Sequence, residues 1–237
     1  RNKMAARVIK QTQNINGIPS VISKLHAENF NVSKCKKAVV LIPGNPGIIR
    51  FYDSFLASLF SECRGKFAIF GIQHAGHGPM ENVGNENSPF TLKEQIDHKI
   101  AFLENYFPSS CQFILIGHSI GAYIILKLLE YFGEGQERIT KGILLFPTIE
   151  RMAVSPSGRL ATPISNYFSW PLIALAWSLS WLPVSFKKWL INIWFCRRNV
   201  HEGCKNGVVE LINANSIRNM LFMAADEMTN VDKTPIK

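Results

Sequence analysis

A serine flanked by glycines is the clearest chemical signal in the sequence. Residues 117–121 read Gly-His-Ser-Ile-Gly, after an apolar run typical of a buried strand and before an apolar run of helical length. A sharp strand-to-helix turn leaves no room for side chains at Gly117 and Gly121 and lifts the hydroxyl of Ser119 clear of the sheet. The helix N-terminus favours developing negative charge. We therefore predict a nucleophile elbow with Ser119 as the attacking residue; the alternative is a tight turn with an incidental serine.

A second turn is expected to supply one of the two backbone amides that acyl transfer needs. The tetrahedral oxyanion is stabilised by two N–H groups, and the first is expected from Ile120, which follows the serine. The second is expected from the Pro-Gly-Asn-Pro-Gly loop at 43–47, after an earlier strand. Pro46 has no N–H, so Asn45 is the predicted donor in that loop. A plain glycine-proline turn is the alternative.

A base and an acid for the serine are harder to find. Outside the elbow, the only histidine after Ser119 is His201, which follows an apolar segment rather than a strand. The later carboxylates follow no convincing strand either: Glu150, Glu202, Glu210, Asp226, Glu227 and Asp232. Two hypotheses stay open, an unusual triad or an acid and base that lie beyond residue 237. The second is favoured because the closing strands of such a sheet are missing from the sequence.

Metal or cofactor chemistry is not indicated. His74 and His77 share one glycine-rich loop without a third ligand nearby in the sequence, which favours structural or substrate-edge histidines. His98, in the middle of a predicted helix, is expected to be a surface or packing residue. The five cysteines are scattered and form no C-x-x-C pair, so neither zinc nor a disulfide framework is expected. We predict no metal and no organic cofactor.

Alternating strand and helix patterns must position these residues. Short apolar runs bounded by turn residues are typical of buried strands, at 37–42, 67–72, 112–116 and 142–146. Apolar residues at helical spacing follow the first three strands, or the loops after those strands, at 51–60, 92–107 and 120–132. Thr91 and Glu94 predict a capping box at the start of the second of these helices. Segments 5–10 and 21–26 predict a hairpin. The alternation predicts a mainly parallel sheet with helices on both faces.

Composition bounds the class of protein and its partners. The 237 residues are 47% hydrophobic and 18% charged, which excludes a disordered or collagen-like chain. The net charge is +9, and residues 1–40 carry eight Lys and Arg against one acid, Glu28. Such a segment suits an anionic membrane surface or is a solvated basic face. No nucleic-acid-binding motif is present, so no nucleic-acid partner is expected.

An apolar stretch rich in tryptophan follows the predicted sheet. No charged residue lies between 161 and 186, and all five tryptophans follow residue 169: Trp170, Trp177, Trp181, Trp189 and Trp194. Tryptophan prefers the boundary between lipid and water. We predict that the first four contact a membrane as a cap that lies on its surface; a buried lid and a true span are the alternatives. Basic side chains expected to meet phospholipid headgroups are Lys187, Lys188, Arg197 and Arg198.

Several motifs together resemble the lipid droplet-associated hydrolase family. They are Leu-Ile-Pro-Gly-Asn-Pro-Gly at 41–47 with Phe-Tyr at 51–52, His-Ala-Gly-His at 74–77, Gln-Ile-Asp-His-Lys at 95–99, the elbow at 117–121, and Phe-Pro-Thr-Ile-Glu-Arg-Met at 146–152 with Ser-Pro-Ser-Gly at 155–158. The resemblance covers residues 38–165 and thins afterwards. The combined set is specific, whereas the elbow alone is common.

This resemblance implies an α/β-hydrolase fold. We predict a core at 1–150, an apolar cap or membrane-associating insertion at 151–215 and a return to the core at 216–237. It implies a serine hydrolase of cholesteryl esters or other neutral lipids, on lipid droplets and the cytoplasmic face of the endoplasmic reticulum. Ser119 matches the family nucleophile. The family's Asp, in a Gly-Thr-x-Asp motif, and its His near the C-terminus have no counterpart in this sequence.

Three functional hypotheses therefore remain. The main one is a serine hydrolase of lipid esters that acts through an acyl-enzyme. The second is a droplet-binding regulator of lipid storage that keeps the fold without turnover. The third is an acyltransferase on the same fold. A lipid substrate and a droplet or membrane surface are the expected partners, and the oligomeric state is left open.

Overall fold

A six-stranded sheet is the framework of the protein. The computed structural model describes residues 7–78, 89–133, 138–149 and 169–231. The strands in this part are β1 (Ile9–Ile15), β2 (Ile18–Leu25), β3 (Lys37–Ile42), β4 (Ala68–Ile72), β5 (Gln112–His118) and β6 (Ile139–Leu145), in the order β1-β2-β4-β3-β5-β6. The strands β4, β3, β5 and β6 are parallel, while β2 pairs antiparallel with both β1 and β4. The predicted mainly parallel sheet is confirmed.

Seven α-helices lie in the described part of the chain. They are α1 (Asp53–Glu62), α2 (Leu92–Asn105), α3 (Ile120–Phe132), α4 (Ser169–Ser180), α5 (Val184–Trp194), α6 (Glu202–Leu211) and α7 (Ala214–Asn230). A short 3-10 helix, Ile49–Tyr52, leads directly into α1. Parallel strands need crossover connections, and α1, α2 and α3 supply them between successive strands from β3 to β6.

The two faces of the sheet are covered by different helices. Successive side chains of a strand point to opposite faces. Val40 packs in one apolar cluster with Phe102 of α2 and Ile124 of α3. Leu41, the next residue of β3, packs in a second cluster with Leu56 of α1. Burial on both faces explains why β3 is a continuous apolar run rather than an alternating one.

The two edges of the sheet differ in detail from expectation. The hairpin strands occupy Ile9–Ile15 and Ile18–Leu25 rather than 5–10 and 21–26, because a two-residue turn at Asn16 and Gly17, both at positive φ, joins them closely. At the other edge, the strand expected at 142–146 is β6, and its residues 140–143 are exposed. The expectation of burial there is wrong, because β5 is the only described strand that pairs with β6.

Helix α2 begins as its sequence predicts. Thr91 Oγ1 accepts a hydrogen bond from the Glu94 N–H at 3.2 Å, and Glu94 Oε2 accepts one from the Thr91 N–H at 2.7 Å, so the capping box is confirmed. Helix α7 packs against this region: Asp226 Oδ2 accepts a hydrogen bond from the Leu92 N–H at 2.7 Å. The C-terminal part of the chain therefore contacts the start of α2.

The proposed division at residues 150 and 215 stays a prediction. Residues 150–168 lie outside the described part, so the start of the cap segment is not placed. The helices α4 and α5 follow it, and α4 packs against α7. Helix α6 packs against the 3-10 helix that precedes α1.

Candidate active site

Ser119 is the single residue between β5 and α3. Its backbone φ of 52° and ψ of −121° lie in a region that non-glycine residues seldom adopt, so the turn is strained. A Cβ added to Gly117 would lie 2.4 Å from the carbonyl oxygen of Gly121, and one added to Gly121 would lie 2.4 Å from that of Ile42. Only glycine fits at either position. This is the backbone geometry that a nucleophile elbow requires.

The hydroxyl of Ser119 is half-buried and contacts Thr148. Their oxygens, Oγ and Oγ1, lie 3.0 Å apart. No histidine or carboxylate within the described residues hydrogen-bonds the Ser119 hydroxyl. Sequence reasoning did not assign Thr148 to the site, although it lies in the motif at 146–152, three residues after the end of β6.

The Pro-Gly-Asn-Pro-Gly loop lies against the elbow. A Cβ added to Gly44 would come within 3.0 Å of the Ser119 Cβ, so the loop approaches the serine as closely as glycine allows. In the part of the chain that the structure describes, nothing accepts a hydrogen bond from the N–H of Asn45 or of Ile120. Both amides therefore keep an unused donor in the described structure, and their role as oxyanion donors stays a prediction.

Two side chains hold this loop in place. The Gly44 N–H donates to the Tyr52 hydroxyl at 3.0 Å, and that hydroxyl lies 2.9 Å from His118 Nδ1. Burial raises the pKa of Tyr52 and lowers the pKa of His118. A neutral Tyr52 can accept from Gly44 and donate to a neutral His118. His118, the residue before Ser119, therefore links the elbow to the loop.

The Asn45 side chain anchors the loop from another direction. Its Nδ2 donates to the Met220 carbonyl of α7 at 2.9 Å. Beside it lies Glu227, which is only 3% exposed. Burial, and then repulsion by Asp226, raise the pKa of Glu227 to about 8, although a hydrogen bond from the side-chain amide of Asn45 favours the charged form of Glu227. The Glu227 carboxyl is therefore mostly protonated at neutral pH.

The two loop histidines lie behind the same loop. A Cβ added to Gly47 would lie 2.7 Å from His77 Nδ1 and 2.8 Å from His74 Cβ, and the His77 ring contacts the Pro46 carbonyl. Burial holds the pKa of His74 well below its usual value and lowers that of His77 to about 4. Both rings are therefore neutral at neutral pH. Among the described residues, no three His, Cys, Asp or Glu side chains are grouped to hold a metal.

His98 and His201 lie in other surroundings. His98 is buried, and its Nε2 lies 2.7 Å from Ser20 Oγ, which fits the packing role expected for it. His201 Nδ1 lies 2.6 Å from Ser54 Oγ and accepts the Gly203 N–H at the start of α6. The structure does not bring His201 to Ser119, so a triad through this histidine has no support in the described contacts.

The four tryptophans predicted to contact a membrane are exposed, by 77% at Trp170, 57% at Trp177, 75% at Trp181 and 55% at Trp189. Other large apolar side chains of α4 and α5 are exposed as well: Leu175, Phe186, Leu190, Ile193 and Trp194. We call these nine side chains the apolar face. None of the described helices is long and apolar enough to cross a bilayer.

The sheet, its crossover helices and the strained serine turn define a protein of the α/β-hydrolase class. Solved structures agree on the fold. The 2-hydroxy-6-oxo-6-phenylhexa-2,4-dienoate hydrolase of Rhodococcus sp. RHA1 has a TM-score of 0.60 at 17% identity, over 95% of this chain and 73% of that one. A thermophilic esterase from Thermogutta terrifontis has a TM-score of 0.54 at 14% identity, over 94% and 72%.

Within that class, the chain belongs to the lipid-droplet associated hydrolase family, whose sequence profile matches residues 35–237. The lipid droplet-associated hydrolase of Gallus gallus is 34% identical over 213 residues, which are 84% of this chain and 64% of the relative. The Drosophila melanogaster protein of the same name is 36% identical over 231 residues, 92% of this chain and 73% of the relative. The chain thus spans about two thirds of the length of these curated relatives. The family resemblance is confirmed.

Proposed function

We propose that the protein is a serine hydrolase of lipid esters that works at the surface of lipid droplets. The observation that carries the proposal is the strained backbone of Ser119, held between β5 and α3 with the Gly44 backbone directly against it. Strain of this kind persists where the surrounding structure enforces it, and it clusters at active sites. The names of the relatives support both the reaction class and the droplet surface.

The proposed reaction runs in two steps through an acyl-enzyme. A base removes the proton of Ser119, whose oxygen attacks the ester carbonyl. The N–H groups of Asn45 and Ile120 hold the oxyanion; its collapse breaks the ester C–O bond, the protonated base gives its proton to the leaving oxygen, and the alcohol departs from the acyl-enzyme. The base then takes a proton from water, which attacks the acyl carbonyl, and returns it to the Ser119 oxygen as the fatty acid leaves.

The apolar face suits a neutral lipid as substrate. Cholesteryl and other neutral esters lie inside a droplet, so an enzyme that acts on them must rest on the lipid surface. Exposed tryptophans such as Trp177 and Trp189 bury their rings at such a boundary while their N–H groups stay hydrated. The same face suits the membrane of the endoplasmic reticulum.

A fluorophosphonate probe tests the nucleophile. The full-length protein should be labelled, Ser119→Ala should not, and the exposed Ser33→Ala should be labelled like the wild type. If Ser119→Ala were labelled as strongly as the wild type, a mechanism with Ser119 as the nucleophile would be ruled out. For the surface, Trp177→Gln and Trp189→Gln should each weaken binding to artificial droplets, whereas Tyr131→Gln, an equally exposed aromatic on α3, should not.

A droplet-binding role without turnover is the second candidate. It is favoured by the contact of the Ser119 hydroxyl with Thr148, in a described region where neither imidazole nor carboxylate reaches that oxygen. Under this hypothesis, Ser119→Ala retains the full effect of the protein on droplet size in cells. Loss of that effect together with loss of probe labelling supports the hydrolase instead.

A further inference from the structure

A cationic cavity lies beneath α5, on the side of this helix that faces the protein. Its volume is about 310 Å³, and its walls come from α5, from α6 and its turn into α7, and from the 3-10 helix before α1. The charged side chains in the walls are Arg50, Lys187, Lys188 and Glu210. Three cations against one carboxylate leave two positive charges in excess.

These positive charges are incompletely paired. Arg50 Nε contacts the carboxylate of Glu210, which neutralises that pair. Lys187 is only 8% exposed, and its Nζ donates to the Ser180 carbonyl at 2.9 Å. No described carboxylate forms an ion pair with Lys187 or Lys188. A buried ammonium with protons to spare is stabilised by a bound anion.

The position of the cavity relative to the apolar face identifies the source of that anion. Lys187 and Val184 line the cavity, whereas Phe186 and Trp189 point to the opposite side of α5. A helix at a lipid surface buries its apolar side at the boundary between the headgroups and the acyl chains. The opposite side of the helix lies about 10 Å further out, one helix diameter away, which is the level of the phosphate groups.

We propose that this cavity binds the phosphate of an anionic phospholipid from the surface on which the apolar face rests. The proposal rests on the surface contact of the proposed function and is independent of hydrolysis. The headgroup phosphate enters between α5 and α6, where Lys187, Lys188 and the terminal nitrogens of Arg50 surround it. The acyl chains stay in the lipid layer beside the apolar face.

Vesicle binding of the full-length protein tests this assignment. Vesicles of phosphatidylcholine alone are compared with vesicles in which phosphatidylglycerol replaces part of it. Lys188→Gln removes a charge that lines the cavity, and Arg197→Gln removes a charge of the same sign that is likewise exposed but lies outside the cavity. On anionic vesicles, Arg197→Gln should lose up to about fivefold in affinity, the effect of one diffuse surface charge. Lys188→Gln should lose clearly more, about tenfold or beyond. Equal losses would overturn the proposal.

Two further arms separate the remaining outcomes. Trp189→Gln should weaken binding to pure phosphatidylcholine vesicles; unchanged binding there contradicts the surface contact of the proposed function, whatever the cavity does. Soluble glycerol 3-phosphate should not bind measurably without vesicles. Tight binding of it to the wild type but not to Lys188→Gln, with equal vesicle affinity of both, makes a free phosphate ester the ligand and overturns the lipid assignment.

Discussion

The hydroxyl oxygens of Ser119 and Thr148 lie 3.0 Å apart, and the Thr148 N–H also donates to the Ser119 carbonyl at 3.3 Å. The two residues meet because β5 and β6 are parallel neighbours with His118 paired to Leu145, so both chains leave the sheet at the same edge. A serine oxygen held by a neighbouring hydroxyl must give up or share that hydrogen bond before it attacks. We therefore expect Thr148 to restrain the reactivity of Ser119.

Replacement of Thr148 by valine should speed fluorophosphonate labelling of Ser119. The change keeps the side-chain shape and removes the hydroxyl, and a neutral hydrogen bond is worth about 1 kcal/mol, or roughly fivefold in rate. Thr148→Ser keeps the hydroxyl and should label like the wild type. A Thr148→Val rate equal to or below that of the wild type would show that the contact does not restrain the serine.

Tyr52→Phe should slow the same labelling by about tenfold or more, because it leaves the Gly44 N–H without its acceptor beside the serine. The amide of the next residue, Asn45, would lose its alignment as a consequence. Tyr106→Phe is the matched control, since no described residue hydrogen-bonds the Tyr106 hydroxyl, and it should label normally. Normal labelling of Tyr52→Phe would mean that the loop keeps its position without this bond.

Gly121→Ala should destabilise the fold by at least about 3 kcal/mol, as measured by urea unfolding. The added Cβ would lie 2.4 Å from the Ile42 carbonyl oxygen and 2.6 Å from that of Pro43, and neither backbone can move without disturbing β3. Gly142→Ala in β6 should cost about 1 kcal/mol or less, since its Cβ would meet the Ile125 methyl at 3.3 Å. Similar costs at the two sites would rule out a steric requirement at the elbow.

Much of this fold could be predicted because its signals are local. Strands such as β3 and β5 are short apolar runs ended by glycine or proline, and the start of α2 is encoded in Thr91 and Glu94 alone. The exposure of β6 could not be predicted, because an apolar run does not reveal which strands lie beside it.

The contacts of the side chains that support the site could not be predicted from the sequence. Asn45 is hydrogen-bonded to Met220, 175 residues further along the chain, and Thr148 reaches Ser119 only through the pairing of two strands. No spacing in the sequence encodes such contacts. The elbow glycines were predictable because their constraint is a clash within one turn, whereas Tyr52 depends on how the loop and the 3-10 helix fold together.

His201→Asn should leave Ser119 labelling unchanged, because the ring of His201 contacts Ser54 and caps α6, and no described contact joins it to Ser119. Asparagine is a good N-cap residue, so stability should also be retained, whereas His201→Ala should lose about 1 kcal/mol in urea unfolding. Labelling of both variants at the level of Ser119→Ala would instead make His201 the missing base.

Glu227 should make the protein less stable as the pH rises. Its pKa is about 8 in the folded protein against an ordinary value of 4.5, so between these values the folded state binds more protons than the unfolded state. The stabilisation is complete below pH 4.5 and is lost as the pH rises towards and through about 8, by roughly 1.4 kcal/mol for each pH unit within that window.

Glu227→Gln keeps the shape of the protonated carboxyl and should remove this slope from urea unfolding, while the exposed Glu62→Gln should keep it. The buried histidines His74 and His77 are present in all three proteins, so the pH dependence that they contribute is common to the comparison. An unchanged slope in Glu227→Gln would show that Glu227 is already ionised in the folded protein, with Asn45 as its compensating partner.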